Sequence, residues 1–262
     1  MKKNLLKLLP ALLLSFGASA FAAPVTTSIA DGFVGGLDNN SPARDIIGDP
    51  NSFDIQGMDV TIDRTAGTLA VRIATQWYDP AGTGFNFGPG YDVNTGDLFI
   101  STNGWAPFGS APYDADDASN GEAWEYVFDT SSGSIYGGAF TTSLTQDEMT
   151  GALIDPSGDY AYRDNQEARR SGGGTAAGNG TVTYSLAPDN SVAYILYELT
   201  LADLGVNPND PINLGFHWTM TCGNDVIEGG VEGGPGNEVP EPGTVLLFGL
   251  GLLGLGLRRR VS

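Results

Sequence analysis

Between residues 24 and 238 the chain runs in short apolar or aromatic stretches separated by Gly, Asn, Asp, Ser and Pro. Few segments hold a 3.6-residue period long enough for a helix, so the pattern predicts strands. In "TLAVRIATQWY" (68–78), Leu69, Val71 and Ile73 fall on one face and Ala70, Arg72 and Ala74 on the other, the two-residue period of a half-buried strand. Further strands are predicted at 58–63, 97–102, 123–130, 134–140, 181–187, 191–200 and 212–220. The run "SVAYILYELT" (191–200) is apolar on both faces, which predicts a central or doubly covered strand. Helical turns are predicted at "SLTQDEM" (143–149), where Ser143 and Gln146 have capping-box spacing, and at "LADLG", ending on Gly205.

This count of strands predicts an all-β fold, a single jelly-roll-like β-sandwich whose body spans 23–227. Turn-rich insertions at 79–96, 103–121 and 155–180 would gather at its edges, and "SGGGTAAGNG" (171–180) reads as a flexible loop. The stretch "EGGVEGGPGNE" (228–238) reads as a Gly-rich acidic linker between the body and a tail at 239–262.

Both ends depart from this texture. "MKKNLLKLLPALLLSFGASAFAAP" opens with Lys2, Lys3 and Lys7, continues apolar to Phe16 and closes on small residues, the layout of a secretory signal peptide over 1–22. Cleavage patterns of the A-x-A type allow a cut after Ala20 or after Ala22; the second, which leaves Ala23 first, is preferred. The Sec translocon and signal peptidase are the partners that such a segment implies. At the other end, Pro240, Glu241 and Pro242 precede 14 uncharged residues (244–257), nine of them Leu, Val or Phe, and then Arg258, Arg259 and Arg260. Those nine favour the bilayer by roughly 3 to 5 kcal/mol. As a helix the run would reach about 21 Å, short of a hydrocarbon core about 30 Å thick. A span this brief needs help, and the three arginines supply it as a cytoplasmic basic anchor at the inner interface. Pro240 and Pro242 bar a helix upstream and leave an extended peptide at the membrane surface. Such a peptide suits a membrane-embedded protease.

Pro-Glu-Pro, a short Gly/Leu-rich span and a basic end, in that order, resemble the PEP-CTERM sorting signal of Gram-negative exopolysaccharide producers. The resemblance covers residues 239–260. It implies recognition by an exosortase, cleavage near Pro-Glu-Pro, transient anchoring in the inner membrane, and release or transfer of the body to the cell surface or extracellular matrix. "GLGLLG" (249–254) satisfies a dinucleotide fingerprint by letter only, since it follows no strand and opens no βαβ unit.

Charge narrows the partners. Six of the twelve basic residues lie in the two ends, leaving residues 23–239 six arginines and no lysine against 30 acidic residues. Such a surface repels phosphate backbones, so no nucleic acid is expected as a partner, whereas cations and neutral polymers suit it. One cysteine, Cys222, excludes an internal disulfide.

The chemistry-bearing residues of the body form three groups. "FHWTMTCGNDVIEG" gathers the single His217 and Cys222 near Asp225 and Glu228, but strand alternation turns His217 and Cys222 to opposite faces, so no catalytic residue is assigned. The loop "YDADDASNGE" offers Asp114, Asp116, Asp117, Asn120 and Glu122, and 44–54 offers Asp45, Asp49, Asn51 and Asp54. All are hard oxygen ligands suited to calcium, without EF-hand spacing. Trp77, Tyr78, Trp105, Tyr113 and Trp124 are flat faces on which sugar rings stack, and Trp105, in the loop "TNGWAPFG", is the one expected to be exposed. The order "YELTLADLGV" then "INLGFHW" resembles sugar-binding sandwiches of the carbohydrate-binding-module family 9 type and carries over no site residue. The expectation is a non-enzymatic surface or matrix protein whose task is adhesion or matrix association, with exopolysaccharide among the candidate partners. The alternative is a secreted polymer hydrolase using paired carboxylates such as Glu122 and Glu125.

Overall fold

The computed structural model describes residues 23–36, 45–77, 85–86, 92–148 and 163–234. Its strands are β1 (Val25–Ile29), β2 (Ile55–Asp63), β3 (Thr68–Thr75), β4 (Phe85–Asn86), β5 (Asp92–Val93), β6 (Leu98–Ser101), β7 (Tyr126–Asp129), β8 (Ser134–Leu144), β9 (Glu167–Asn179), β10 (Thr181–Leu186), β11 (Ala193–Thr200), β12 (Ile212–Thr219) and β13 (Val226–Gly233). Two four-residue helices, α1 (Pro50–Phe53) and α2 (Thr145–Glu148), and a 3-10 turn at Leu201–Leu204 complete the described elements. One sheet has the order β1-β2-β3-β11-β10 and the other β13-β12-β6-β7-β8-β9, and every pairing within them is antiparallel.

The period-2 pattern explains the first sheet. Leu69, Val71 and Ile73 of β3 are buried and stand opposite Leu199, Tyr197 and Ile195 of β11, so one face of the pair is continuous apolar surface. This face packs in a single core with Leu98, Ile100, Phe128, Ile135, Phe216 and Trp218 of the second sheet. Burying each such side chain is worth about 1.5 to 3 kcal/mol. Polar contacts cross the core at Tyr197: Trp218 Nε1 donates to its hydroxyl at 2.9 Å, and that hydroxyl also lies 3.2 Å from Thr130 Oγ1, satisfying the polar ends of two large side chains. The second sheet differs in being covered on both faces at β6 and β12, where side chains of either parity are buried apart from Asn213. Its outer cover includes the 103–125 loop, through Trp105 and Trp124, and Phe33 beyond the end of β1.

Three expectations are corrected and a fourth holds in one of its alternatives. Residues 171–179 are not a loop but most of β9, a 13-residue edge strand on β8. Its Gly and small polar residues leave most of its side chains exposed, and pairing rests on main-chain bonds with register shifts where Gly173 and Gly174 adopt positive φ. The linker expected over 228–238 does not start at 228, because residues 228–233 lie in β13, register-paired with β12. Ser143 lies in β8 and α2 starts at Thr145, so the Ser143–Gln146 box does not form. The capping box sits instead at Thr200 and Asp203, which open the 3-10 turn that Gly205 closes with φ 65°. Strand 193–200 is interior to its sheet, between β3 and β10, in line with the first alternative, but it is not covered on both faces: its outer face carries Tyr194, under the Arg72 guanidinium at 5.0 Å, and exposed Glu198.

Candidate functional site

On the outer face of the second sheet, β12 and β13 place His217 opposite Glu228. His217 is fully buried; its Nδ1 lies 2.8 Å from Glu228 Oε1 and its Nε2 2.8 Å from the Glu167 carbonyl oxygen. A carbonyl only accepts, so Nε2 carries a proton, and a second proton on Nδ1 gives an imidazolium facing a carboxylate. Burial pulls the His217 pKa down, but the hydrogen bond and charge of Glu228, with the charge of Glu167, outweigh it and the net direction is upward. Trp105 Nε1 donates to the other Glu228 oxygen at 3.0 Å, so both carboxylate oxygens are engaged. Burial first, and the Glu228 charge second, push Asp116 up to about 6. Burial likewise raises Glu167 to about 7, with Glu228 adding to the shift and His217 opposing it.

Trp105 is the bridge from this network to solvent. Its ring meets Tyr113 edge-on at 5.3 Å and Phe33 at 6.5 Å, and Phe33 stacks on Tyr113 at 5.8 Å. Gly215 and Gly230, opposite each other in β12 and β13, form the floor beneath it. A Cβ at Gly230 would stand 2.9 Å from Trp105 Cβ, and one at Gly215 would stand 2.7 Å from the Gly104 oxygen. A cleft of about 290 Å³ opens beside this cluster, lined by Ser28, Ala30, Phe33, Trp105, Tyr113 and Glu228 among others. It combines aromatic faces with polar edges, the composition of a small polar-ligand site.

The other flagged residues fall elsewhere. Trp77 is buried and stacks on Phe53 at 6.3 Å, while Trp124 is half-buried between Phe99 and His217. Tyr78 lies outside the described residues. Cys222 is buried in the core between the sheets, with burial pushing its thiol up to about 12, and it shares no site with His217. In the acidic loop, Asp116 accepts from the Phe108 N–H, Asp117 from Ser119, and Glu122 from Ala106 N at 2.7 Å, while the Asn120 oxygen accepts from Asp117 N at 3.1 Å. These oxygens fasten the loop to itself and do not converge with Asp114 on a common point. Glu125 is spent similarly, on Thr102 N at 2.8 Å and Asn103 Nδ2 at 2.7 Å. The carboxylates that do converge among the described residues are Asp31, Asp45 and Asp225. Glu167 and Phe33 drew no notice in the sequence, since neither belongs to a local motif; Glu228 was flagged for its nearness to His217 in the chain, while the pairing of β12 with β13 that sets the two opposite each other was not foreseen.

A family model for the PEP-CTERM protein-sorting motif matches residues 238–260. The chain carries a PEP-CTERM sorting signal. This motif marks an exosortase-processed, exported protein that is membrane-anchored and then displayed at the cell surface. Pro240, Glu241, Pro242 and Arg258 to Arg260 of the PEP-CTERM signal, like Ala20 and Ala22 at the expected signal cleavage, lie outside the described residues. Among the described residues no helix is long and apolar enough to cross a membrane. No curated protein and no solved structure matches the chain significantly.

Proposed function

We propose that the body is a non-catalytic sandwich that associates with exopolysaccharide at the cell surface, delivered by the Sec translocon and signal peptidase and released by exosortase cleavage near Pro240-Glu241-Pro242. The observation that carries the reading is the cleft at Trp105 and Tyr113. Two aromatic side chains held rigidly against a glycine floor give an apolar platform for a pyranose ring, at little cost in side-chain ordering on binding. The strongly acidic body favours a neutral polymer over an anionic one.

Binding of purified exopolysaccharide, measured for the wild type and for Trp105→Ala and Tyr113→Ala, tests the body. Affinity should fall about tenfold or more in each variant while thermal melting stays cooperative. Unchanged affinity in both would overturn the cleft assignment. Intact mass of the native protein tests the sorting half: a mature chain lacking Arg258 to Arg260 is expected, and substitution of Pro240, Glu241 and Pro242 by alanine should leave the tail attached.

A further inference from the structure

Three aspartates from distant parts of the chain meet at one point. Asp31 follows β1, Asp45 opens the segment before α1, and Asp225 stands immediately before β13; one carboxylate oxygen from each lies within 4.8 Å of the others. That is the largest separation open to two ligands on opposite sides of an ion at about 2.4 Å, within the range for calcium. Asp225 is fully buried, its oxygens accepting from Ile55 N at 2.6 Å and Val226 N at 2.8 Å. Each of those oxygens keeps a lone pair for a further partner.

A second, independent observation is that the cluster contains one buried oxygen without a donor and adjoins another in the chain. The Asn224 side chain is fully buried, and its Oδ1 is shut off from water with no hydrogen-bond donor; Asp31 Oδ1 is in the same condition. Asn224 accepts from Ile47 N at 2.7 Å through its backbone carbonyl and donates from Nδ2 to Ile47 O at 2.7 Å. Its amide therefore lies against the segment that carries Asp45, one residue from Asp225 in the chain. Buried acceptors without donors are rare in folded proteins and call for a partner. Both orphaned atoms here are oxygens.

Charge leads to the same conclusion. Asp54 adds its field to those of Asp31, Asp45 and Asp225, and among the described residues the positive charge acting on them is that of Arg163. Arg163 is buried and donates to the carbonyls of Gly223 at 3.2 Å, Gly36 at 3.2 Å and Asp45 at 2.8 Å. Four carboxylates against one guanidinium leave negative charge sufficient for a divalent cation. An all-oxygen donor set of mixed geometry, part buried and part open at exposed Asp45, favours calcium over zinc or magnesium.

We propose that Asp31, Asp45 and Asp225, with the Asn224 side-chain oxygen, bind a calcium ion that fastens the end of β1 and the 45–48 segment to the start of β13. Asp31 lies two residues before Phe33, so the ion would also steady one wall of the aromatic cleft. The proposal stands without any sugar bound there.

Titration of chelator-stripped full chain with calcium chloride, read by calorimetry and by the melting midpoint, tests it. One ion per chain is expected, with saturation in the range of about 10⁻⁴ to 10⁻³ M typical of extracellular modules, and a raised midpoint. Asp45→Asn should weaken binding about tenfold. Asp225→Asn should abolish it and melt in chelator somewhat below the wild-type midpoint, because both Asp225 oxygens accept backbone N–H groups and the amide nitrogen cannot replace one of them. Asp114→Asn, in the other acidic loop, should bind as wild type. No saturable binding, wild-type binding by Asp225→Asn, or loss of binding in Asp114→Asn would each overturn the proposal. If Asp225→Asn does not fold, Asp31→Asn and Asp45→Asn decide by the same readings.

Discussion

Glu228 and Asp225 lie on one hairpin, both are buried, and the protein treats their charges in opposite ways. Glu228 is answered from within: His217 on one oxygen, Trp105 on the other, and a ring of aromatic side chains excluding solvent. Asp225 receives two backbone N–H groups, while Asp31 and Asp45 repel it and Arg163 opposes them from beside the cluster. Burial, then the Asp31 charge, hold its pKa well above the usual carboxylate range. A buried carboxylate that has its cation inside the fold is a fastener. One crowded by its own kind is a socket, and the difference shows which of the two sites looks outward for its counter-charge.

The sharpest way to break this contrast is to remove the internal partner. Glu228→Ala should cost roughly 3 to 5 kcal/mol, because His217 is left buried with its charge unanswered, and Glu228→Gln should cost less. Chemical denaturation measures both, and a loss below about 1 kcal/mol would make the network no more than a surface pair.

Next in size is the pH dependence. Glu167 and Asp116 have folded-state pKa values of about 7 and about 6, above the unfolded values of 4.5 and 3.8, and His217 is raised above 6.5. At these three groups the folded state holds more protons than the unfolded one, so their contribution to stability is full below about pH 4 and is lost as pH rises through 7. Buried Asp97, raised to about 6 chiefly by burial, adds in the same sense. The melting midpoint should be several degrees lower at pH 8 than at pH 5, with Glu167→Gln flattening part of the slope.

Trp105→Phe keeps a ring on the glycine floor but drops the bond to Glu228, and should cost about 1 kcal/mol in the same denaturation assay. The smallest effect belongs to Arg72→Ala. Its ion pair with Asp59 is exposed, so the loss should stay below about 1 kcal/mol, most of it at low salt.

The sequence made the β-rich body legible because its strands have one apolar face: the Leu69, Val71, Ile73 alternation lies where the period predicts it. It also made the sorting tail legible, since that signal is read as a contiguous peptide. Segments whose fate depends on distant partners were not. β9 has almost no apolar residue to betray it and is a strand only because β8 offers an edge. Residues 228–233 look like a spacer until β12 pairs with them. Trp105 was foreseen as exposed, yet it is half-buried, because a loop that looks free folds down onto Gly215 and Gly230. Asp31 carries no local pattern, and its meeting with Asp225 is a property of the closed sandwich.

The long outer strand β9 bears on how such molecules live side by side. Proteins shown at a cell surface reach high local density, where a straight, sticky sheet margin would recruit its neighbour and grow fibres. β9 ends its sheet with a ladder interrupted at several points, bent at consecutive glycines, and offering few side chains for a neighbour to grip. Crowding can then continue without polymerisation.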